Sequence, residues 1–515
     1  MTQVPNKKIV WYITSFDENV TPSNNLVSVV WPDGYKLHFL VDAGLSVGKT
    51  SDNFVLHYRP EKIELVLITH PHIDHIGLLA YLISNGLNAP IYVTEGTALL
   101  FSNLFCNSCD IVLRQYKKAN RNNSPYKKVR HEKNKQKVKG SKKKQKPPFS
   151  KDDIKFCIEN VVHNTVKYDV EYEYSDRIKF TFIHNQHIFG AASIMVRLTD
   201  PSGEADDVLL FFSGDYNNKN NFIQSFPLPE HIKPGEVSAM LVESTYGNRL
   251  SKETNYNFEK YLLMSLEKFC NIIFFTFSLG RTQDIMLLLK KAQDKGIIPK
   301  DVELFLDGSL AISNSFIVKE NPETFFIKED ARDFFPKDLR FLSKDDRQLR
   351  TFSAKQKIII TSSGNGSFGP ANQYIRWLVS DKSTCFIFSG FCTKDSLGHL
   401  LMNTPTGETI KIFGCEYIKN ASTLFLEECS GHGRQDDLIK YINQILPYSV
   451  LINHGETSTQ QIMKAAVKKE VNPPGDVYIT TPCLTFKGSK YGVEQVIYSE
   501  PLLLDKKTKH QKKPS

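Results

Sequence analysis

Long apolar runs are missing from this 515-residue chain. No stretch of eighteen apolar residues occurs, so no transmembrane helix is expected. The opening MTQVPNKKIVWYITSFDENV has no apolar core followed by small residues, so a secretory leader is not expected. A disulfide framework is lacking too. The nine cysteines are scattered and odd in number, which reads as reduced thiols in a cytoplasmic protein. Cys106 and Cys109 form a lone CxxC with no second pair; a buried helical pair is expected rather than a zinc clasp. No internal repeat is visible. What is present is ordinary folded protein, 41% hydrophobic and 11% aromatic, enough for a large core. The length calls for two or three domains.

Acidic residues are nearly absent from one stretch. Residues 115–148 carry 14 Lys and Arg against a single acid, Glu132, and they set the sign of the net charge of +9. Such a block repels itself and has little to bury, so it reads as a solvated helix or a flexible loop. It suits either a solubilising insertion or a polyanion-binding arm, because clustered Lys and Arg release counterions from phosphate backbones. The tail KKTKHQKKPS repeats the theme weakly.

The first half reads as strands broken by helical stretches. LVSVVW and KLHFLVDAG form a hairpin around PDG, IELVLITH is a buried strand, and IGLLAYLISNG is helical up to its Gly. VLLFF and LVLI do not alternate, which marks sheets covered on both faces. After residue 250 regular α/β alternation sets in. NIIFFTFS, VELFLDG, QKIIITSSG and STCFIFSG read as strands, and RTQDIMLLLKKAQDKG as a helix between them.

The stretch LVLITHPHIDHIGLL packs His70, His72, Asp74 and His75 into six positions after an apolar strand. Histidines at i and i+2, on a loop stiffened by Pro71, can converge on one cation. Asp74 and His75 then point toward a second. Imidazole and carboxylate without thiolate suit Zn²⁺, with Mn²⁺ or Fe²⁺ as alternatives. The competing reading is a hydrogen-bonded polar turn.

HPHIDH fits the HxHxDH motif of the metallo-β-lactamase fold, and later segments resemble that family in order. LVDAGL resembles its first motif, HIFGAAS its third and FFSGDY its fourth. LVESTYGNR, FSLGRTQDIMLLL, ITSSGNGSFGPA, CSGHGRQDDLIKYI and INHGE resemble segments of the β-CASP ribonuclease branch, in its bacterial and archaeal relatives of the mRNA 3′-end cleavage nuclease. The resemblance covers nearly the whole chain. It implies an α/β fold, a metallo-β-lactamase αββα sandwich with an inserted β-CASP α/β domain. Residues 1–250 would open the metallo-β-lactamase domain, with the basic insertion at about 115–148. Residues 251–425 would be the β-CASP domain, and 426–515 the closing part with the basic tail.

The same resemblance implies the site. His70, His72 and His187 would hold one zinc, Asp74, His75 and His454 the other, and Asp215 would bridge them. Asp42 would be the buried acid behind the metals. Asp74, His432 and Glu243 would be catalytic, with His432 as general acid and Glu243 orienting it. For Glu243 a strand-end salt bridge is the alternative. His184 competes with His187 for the third-motif position; the following IFGAAS favours His187, leaving His184 as a strand-end residue. Thr245 and Tyr246 would shape a turn. Ser362, Ser363 and Gly364 would face a phosphate or form a plain strand-to-helix turn. Arg281 and Arg249 would contact phosphate or make surface ion pairs.

The implied activity is hydrolysis of RNA phosphodiesters by two Zn²⁺, with Mn²⁺ as the alternative metal. Cleavage would be endonucleolytic on single-stranded RNA, with 5′-exonuclease activity as a second mode. His454 at motif C favours RNA, since DNA-repair members usually carry an aliphatic residue there. A DNA nuclease of the same fold and a non-catalytic RNA-binding paralogue are the alternatives. No membrane partner is expected, and relatives often form homodimers. Neither an N-terminal RNA-binding module nor a long C-terminal domain is expected. Asn365, Cys429 and the approach HNQH depart from the usual pattern, which bears on loop geometry and substrate preference, with every ligand position filled.

Overall fold

Apolar residues two apart on neighbouring strands build the centre of the molecule. The computed structural model describes residues 7–16, 22–45, 56–122, 147–251, 257–390, 392, 394–427, 429–482 and 484–498. One eight-stranded sheet runs in the order Gly492–Tyr498, Leu484–Ser489, Val10–Ser15, Asn24–Val30, Lys36–Ala43, Leu65–Leu67, Ile91–Thr94, Thr165–Val166. A seven-stranded sheet runs Val477–Ile479, Ser449–Ile452, Val237–Val242, Val208–Phe212, Ala192–Leu198, Ile178–His184, Glu171–Ser175. Trp11, Ile13, Val27 and Phe39 from the first meet Phe180, Phe182, Leu210 and Phe212 from the second.

The outer faces are covered by helices. Leu40, Val66 and Ile91 lie in a cluster with Leu79 and Leu82 of the helix Leu79–Ser84, Phe101 and Phe105 of the helix Glu95–Asn122, and Cys157 of the helix Lys151–His163. Leu209, Phe211 and Met240 lie with Leu438 and Ile442 of the helix Gln435–Ile445 and Met463 of the helix Thr457–Glu470. The layers are therefore αββα. VLLFF fails to alternate because Leu210 and Phe212 face the opposite sheet while Leu209 and Phe211 face helices.

In the helix Glu95–Asn122, the part Glu95–Arg114 is long and apolar enough to cross a membrane by length and composition, although polar residues such as Asn103 and Asp110 interrupt it. Half of that stretch is buried in the protein, with Phe101, Phe105, Cys109 and Val112 in the core. Cys109 is buried but Cys106 is exposed, so the expected buried pair is corrected to one buried and one exposed thiol. Residues 123–146, most of the expected basic segment, and 499–515, the basic tail, lie outside the described residues.

Val237–Val242 and Ser449–Ile452 are parallel neighbours, yet about two hundred residues separate them in the chain. That intervening chain forms a six-stranded sheet ordered Arg340–Phe341, Glu303–Asp307, Lys357–Thr361, Asn271–Phe275, Thr384–Phe388, Ser422–Phe425. Every pairing in it is parallel. Successive residues of Asn271–Phe275 serve opposite cores, Ile272 and Phe274 one, Ile273 and Phe275 the other. The carboxyl edge of such a sheet gathers the strand-to-helix loops, and open α/β sheets bind ligands there.

Asp307, at the carboxyl end of its strand, is 1% exposed. Its Oδ1 accepts from Arg347 Nη2 at 2.9 Å and its Oδ2 from the Tyr374 hydroxyl at 2.6 Å. This ties the helices Asp346–Thr351 and Ala371–Leu378 to the sheet. Removing one partner of a buried ion pair costs about 3–5 kcal/mol, because the other charge is left uncompensated. Asp307→Ala is expected to destabilise the inserted sheet by that amount in urea unfolding; an unchanged midpoint would show that the pair holds nothing in place.

Candidate active site

Strand Leu65–Leu67 ends in the loop that carries His70 and His72, and Asp74 and His75 stand on the short helix Ile73–Ile76. This loop lies directly on the one after Lys36–Ala43. The Ser23 amide donates to the Asp74 carbonyl at 2.7 Å and the Leu45 amide to the Ile73 carbonyl at 3.2 Å. A Cβ on Gly44 would stand 1.7 Å from the Asp74 oxygen, so only glycine permits this approach. Asp42 adopts φ 63°, a left-handed conformation that non-glycine residues hold only where surroundings enforce it.

Asp42 organises the donors. Its carboxylate accepts from the Thr69 amide at 2.8 Å, the Thr69 hydroxyl at 2.9 Å and His75 Nδ1 at 2.7 Å. The single Thr69 hydroxyl proton is thus engaged, so Thr69 Oγ1 accepts from His70 Nδ1 at 3.1 Å. His187 Nδ1 donates to the Gly431 carbonyl at 2.7 Å. His454 Nδ1 lies 3.0 Å from Thr245 Oγ1. With their Nδ1 atoms held outward, His70, His75 and His187 turn Nε2 inward, whereas His454 turns Nδ1 toward Asp215 and Nε2 toward Asp74.

The inward atoms fall into two groups. His70, His72, His187 and Asp215 each bring a donor atom within 4.8 Å of the others, and so do Asp74, His75 and His454. His70 Nε2 and His72 Nδ1 are 3.1 Å apart. Asp215 faces both groups with different oxygens. Its Oδ2 lies 3.7 Å from His70 Nε2 and 3.5 Å from His187 Nε2, and its Oδ1 3.4 Å from His75 Nε2 and 3.5 Å from His454 Nδ1. His75 Nε2, His187 Nε2, His454 Nε2 and Asp215 Oδ1 are buried with no hydrogen-bond partner among the described residues. Orphaned lone pairs converging from imidazole and carboxylate are the arrangement a pair of divalent cations requires, and the residues present fit one.

Protonation follows the local charge. Burial lowers the pKa of His70 and His187 well below the ordinary value and that of His72 to about 4, so these three are neutral ligand-type imidazoles. Burial also opposes a charge on His75 and His454, but carboxylates outweigh it. Asp42 and Asp215 raise His75 well above its usual value, and Asp215 and Asp74 raise His454 to about 9. Burial raises Asp215, yet His454, His75 and His432 carry its pKa well below the usual carboxylate range.

Beside the two groups stands His432. Its Nδ1 lies 2.9 Å from Glu243 Oε2, and its ring centroid 4.7 Å from that of His187. Glu243 follows the strand Val237–Val242 and also accepts from the Tyr216 amide at 2.6 Å. Burial opposes a charge on His432, but Glu243 and Asp215 hold its pKa above the ordinary value. His184 ends its strand elsewhere, its ring among Tyr168, Phe226 and Phe326.

The inserted sheet supplies the far wall. Arg281 is 8% exposed and paired with Asp284 at 3.0 Å; this ion pair is buried, not the surface pair of the alternative reading. A Cβ on Gly431 would lie 2.4 Å from Arg281 Nη2 and 3.2 Å from His187 Nδ1, which places Arg281 against the Gly431 turn beside His187. Arg249 instead lies over the Tyr246 ring at 4.2 Å. Ser362, Ser363 and Gly364 follow the strand Lys357–Thr361. Ser363 Oγ donates to Asn365 Oδ1 and accepts from the Phe368 amide at 3.1 Å each, and Gly364 packs on Phe277. Among the described residues no direct bond joins this loop to the metal-type cluster.

Sequence reasoning missed Thr69, the Gly431 carbonyl and the role of Thr245 toward His454. Thr69 stands inside the quoted motif stretch, and a hydroxyl beside two ligand-type histidines was the available signal. Thr69→Val removes the acceptor for His70 Nδ1 and a donor to Asp42. Losing such an outer hydrogen bond weakens metal binding about 10–100-fold. A Zn²⁺ competition titration of the folded variant is expected to show that drop; wild-type affinity would mean that His70 is oriented by packing alone.

Three family models match the chain and together span just over half of it. They are the metallo-beta-lactamase superfamily over residues 20–107, the Beta-Casp domain over 282–401 and the Zn-dependent metallo-hydrolase RNA specificity domain over 420–479. Transcription termination factor FttA of Methanococcus maripaludis is 25% identical over 454 residues, 81% of this chain and 63% of that protein. An RNase J-like protein of Methanocaldococcus jannaschii is 24% identical over 447 residues, covering 84% and 90% of the two chains. A Thermus thermophilus ribonuclease is 23% identical over 430 residues, covering 81% and 87%. The chain matches less than two thirds of the length of the termination factors. The three family matches, in this order along the αββα frame and its inserted parallel sheet, establish that the chain belongs to the β-CASP branch of the metallo-β-lactamase superfamily.

Proposed function

We propose that the protein is a two-zinc ribonuclease that hydrolyses phosphodiester bonds in single-stranded RNA during RNA processing or decay in the cytoplasm. Cleavage within the strand is its main mode, and 5′-exonucleolytic trimming is a second mode. The observation that carries the reading is Asp215, one oxygen facing His70 and His187, the other facing His75 and His454. His70, His72 and His187 would hold one ion, Asp74, His75 and His454 the other, with Asp215 shared. Imidazole-rich donors without thiolate favour Zn²⁺, with Mn²⁺ the nearest competitor. RNA as substrate is supported by the RNA specificity match over 420–479 and by the ribonuclease names of relatives.

Cations bound there would supply Lewis-acid activation of water and offset charge developing on the phosphoryl oxygens. The chain supplies the rest. His432 keeps Nδ1 on Glu243, leaving Nε2 to deliver a proton to the departing ribose oxygen. Glu243 orients that ring and favours its protonated form. Asp74 completes the ligand set and faces His454 Nε2 at 3.8 Å.

End-labelled RNA and DNA of one sequence, incubated with and without chelator, test the reading. Internal cuts in RNA that vanish with chelator are expected, alongside two zinc per chain by elemental analysis. Cutting of DNA alone would move the protein to the DNA nucleases, and RNA binding without cutting to the non-catalytic paralogues. His432→Ala is expected to keep both zincs while kcat falls roughly 10²–10⁴-fold, the span of general acid catalysis; zinc loss in this variant would make His432 a ligand. A pH profile tests the pair. His432 acts protonated, so activity falls as pH rises through its pKa. Glu243 raises that pKa, so Glu243→Gln is expected to move the alkaline limb to lower pH.

A further inference from the structure

Phe277 is an anomaly at the carboxyl edge of the inserted sheet. It comes two residues after the fully buried strand Asn271–Phe275, yet it is 38% exposed. Its ring does not hang free. A Cβ on Gly364 would stand 3.0 Å from Phe277 Cδ2, and one on Gly390 would stand 2.5 Å from Cε2. Two neighbouring strand-end loops thus present bare backbone to the ring and clamp it. Its carbonyl accepts from the Thr282 hydroxyl at 2.7 Å, which pins the backbone as well. Four residues on, Arg281 lies against the Gly431 turn and His187. A Cβ on Gly280 would touch Ile188 at 3.2 Å. The segment 277–281 therefore runs from the exposed ring directly to the ligand cluster.

A lone exposed phenylalanine is ordinary on a protein surface. One packed against glycines on two loops, on the segment that leads to Arg281 and the Gly431 turn, is a preset aromatic surface. Leaving it partly wet forgoes part of the stabilisation that burying a phenylalanine provides. An aromatic face of this kind suits an unpaired base, since every base has a π-face and stacking tolerates sequence. Fixing the ring in advance also removes its ordering cost on binding. Phe368, 41% exposed, stands on the same Ser363 loop, its amide bonded to Ser363 Oγ, and offers a second aromatic surface to the same strand.

We propose that Phe277 stacks on an unpaired nucleobase of the strand being cut, near the scissile phosphate, and thereby gives the enzyme its preference for single strands. This rests on the ribonuclease reading above. A base in a duplex is stacked on its neighbours and cannot offer its face, so a paired strand loses this contact.

The test uses the full-length zinc-loaded protein and one single-stranded RNA carrying 2-aminopurine at successive positions. Wild type is expected to quench the probe at one position near the cut. Phe277→Leu, which keeps an apolar filling between Gly364 and Gly390, is expected to lose that quench and to raise KM about tenfold with little change in kcat, and Phe277→Tyr to restore both. An RNA with an abasic residue at the same position is expected to raise the wild-type KM about tenfold, a readout independent of how any variant folds. Wild-type cutting with no position-specific quench and no abasic effect overturns the stacking and leaves the ribonuclease reading intact. No cutting of RNA by the wild type overturns both.

Discussion

Asp42, Asp74, Asp215 and Glu243 bring four carboxylates into or beside one largely buried pocket, and the rest of the site answers that charge. An uncompensated buried carboxylate costs several kcal/mol. Asp42 is compensated by Thr69 and His75, and Glu243 by the Tyr216 amide and His432. Among the described residues Asp74 and Asp215 have no such full set of partners; they face imidazoles, and Asp215 Oδ1 has no hydrogen bond there. The two acids left short of donors are the two that lie among the inward Nε2 atoms. The charge balance thus separates the carboxylates that hold the scaffold from those available to cations.

The topology delivers these groups to one place. Val242 pairs with Ile452 in adjacent parallel strands, so the segments after them, with Glu243 and His454, emerge side by side. The Ser244 amide donates to the His454 carbonyl at 2.9 Å. Because the six-stranded sheet is inserted between these two strands in the chain, its loops return over the cluster. Arg281 against the Gly431 turn, and Lys394 at 3.9 Å from Glu456, mark that closure. Phe277 and the Ser363 loop lie on the carboxyl edge of the inserted sheet.

Much of this was legible in the chain. His70, His72, Asp74 and His75 fall within six residues, so their grouping is local and periodicity-free. The buried strands announced themselves because a strand covered on both faces loses alternation, as Val208–Phe212 does. Cys106 was misread because a CxxC on a helix says nothing about which way the helix turns; packing left Cys106 outside and Cys109 inside. Arg281 stayed ambiguous for the same reason, since its burial depends on the Gly431 turn far along the chain.

By itself the sequence determined the donor chemistry, the order of the segments and the two-sided burial of the strands, because residue type, spacing and hydropathy are properties of neighbours in the chain. Tertiary structure alone decided which nitrogen each histidine turns inward. That choice rests on bonds such as His187 to the Gly431 carbonyl, 244 residues apart, and His75 to Asp42, from two different segments. It likewise decided that Phe277 stays open to solvent while Phe275, two residues before it, is wholly buried. Both outcomes depend on which loops meet, and hydrogen bonds and packing between distant segments exist only once the sheets have closed on one another.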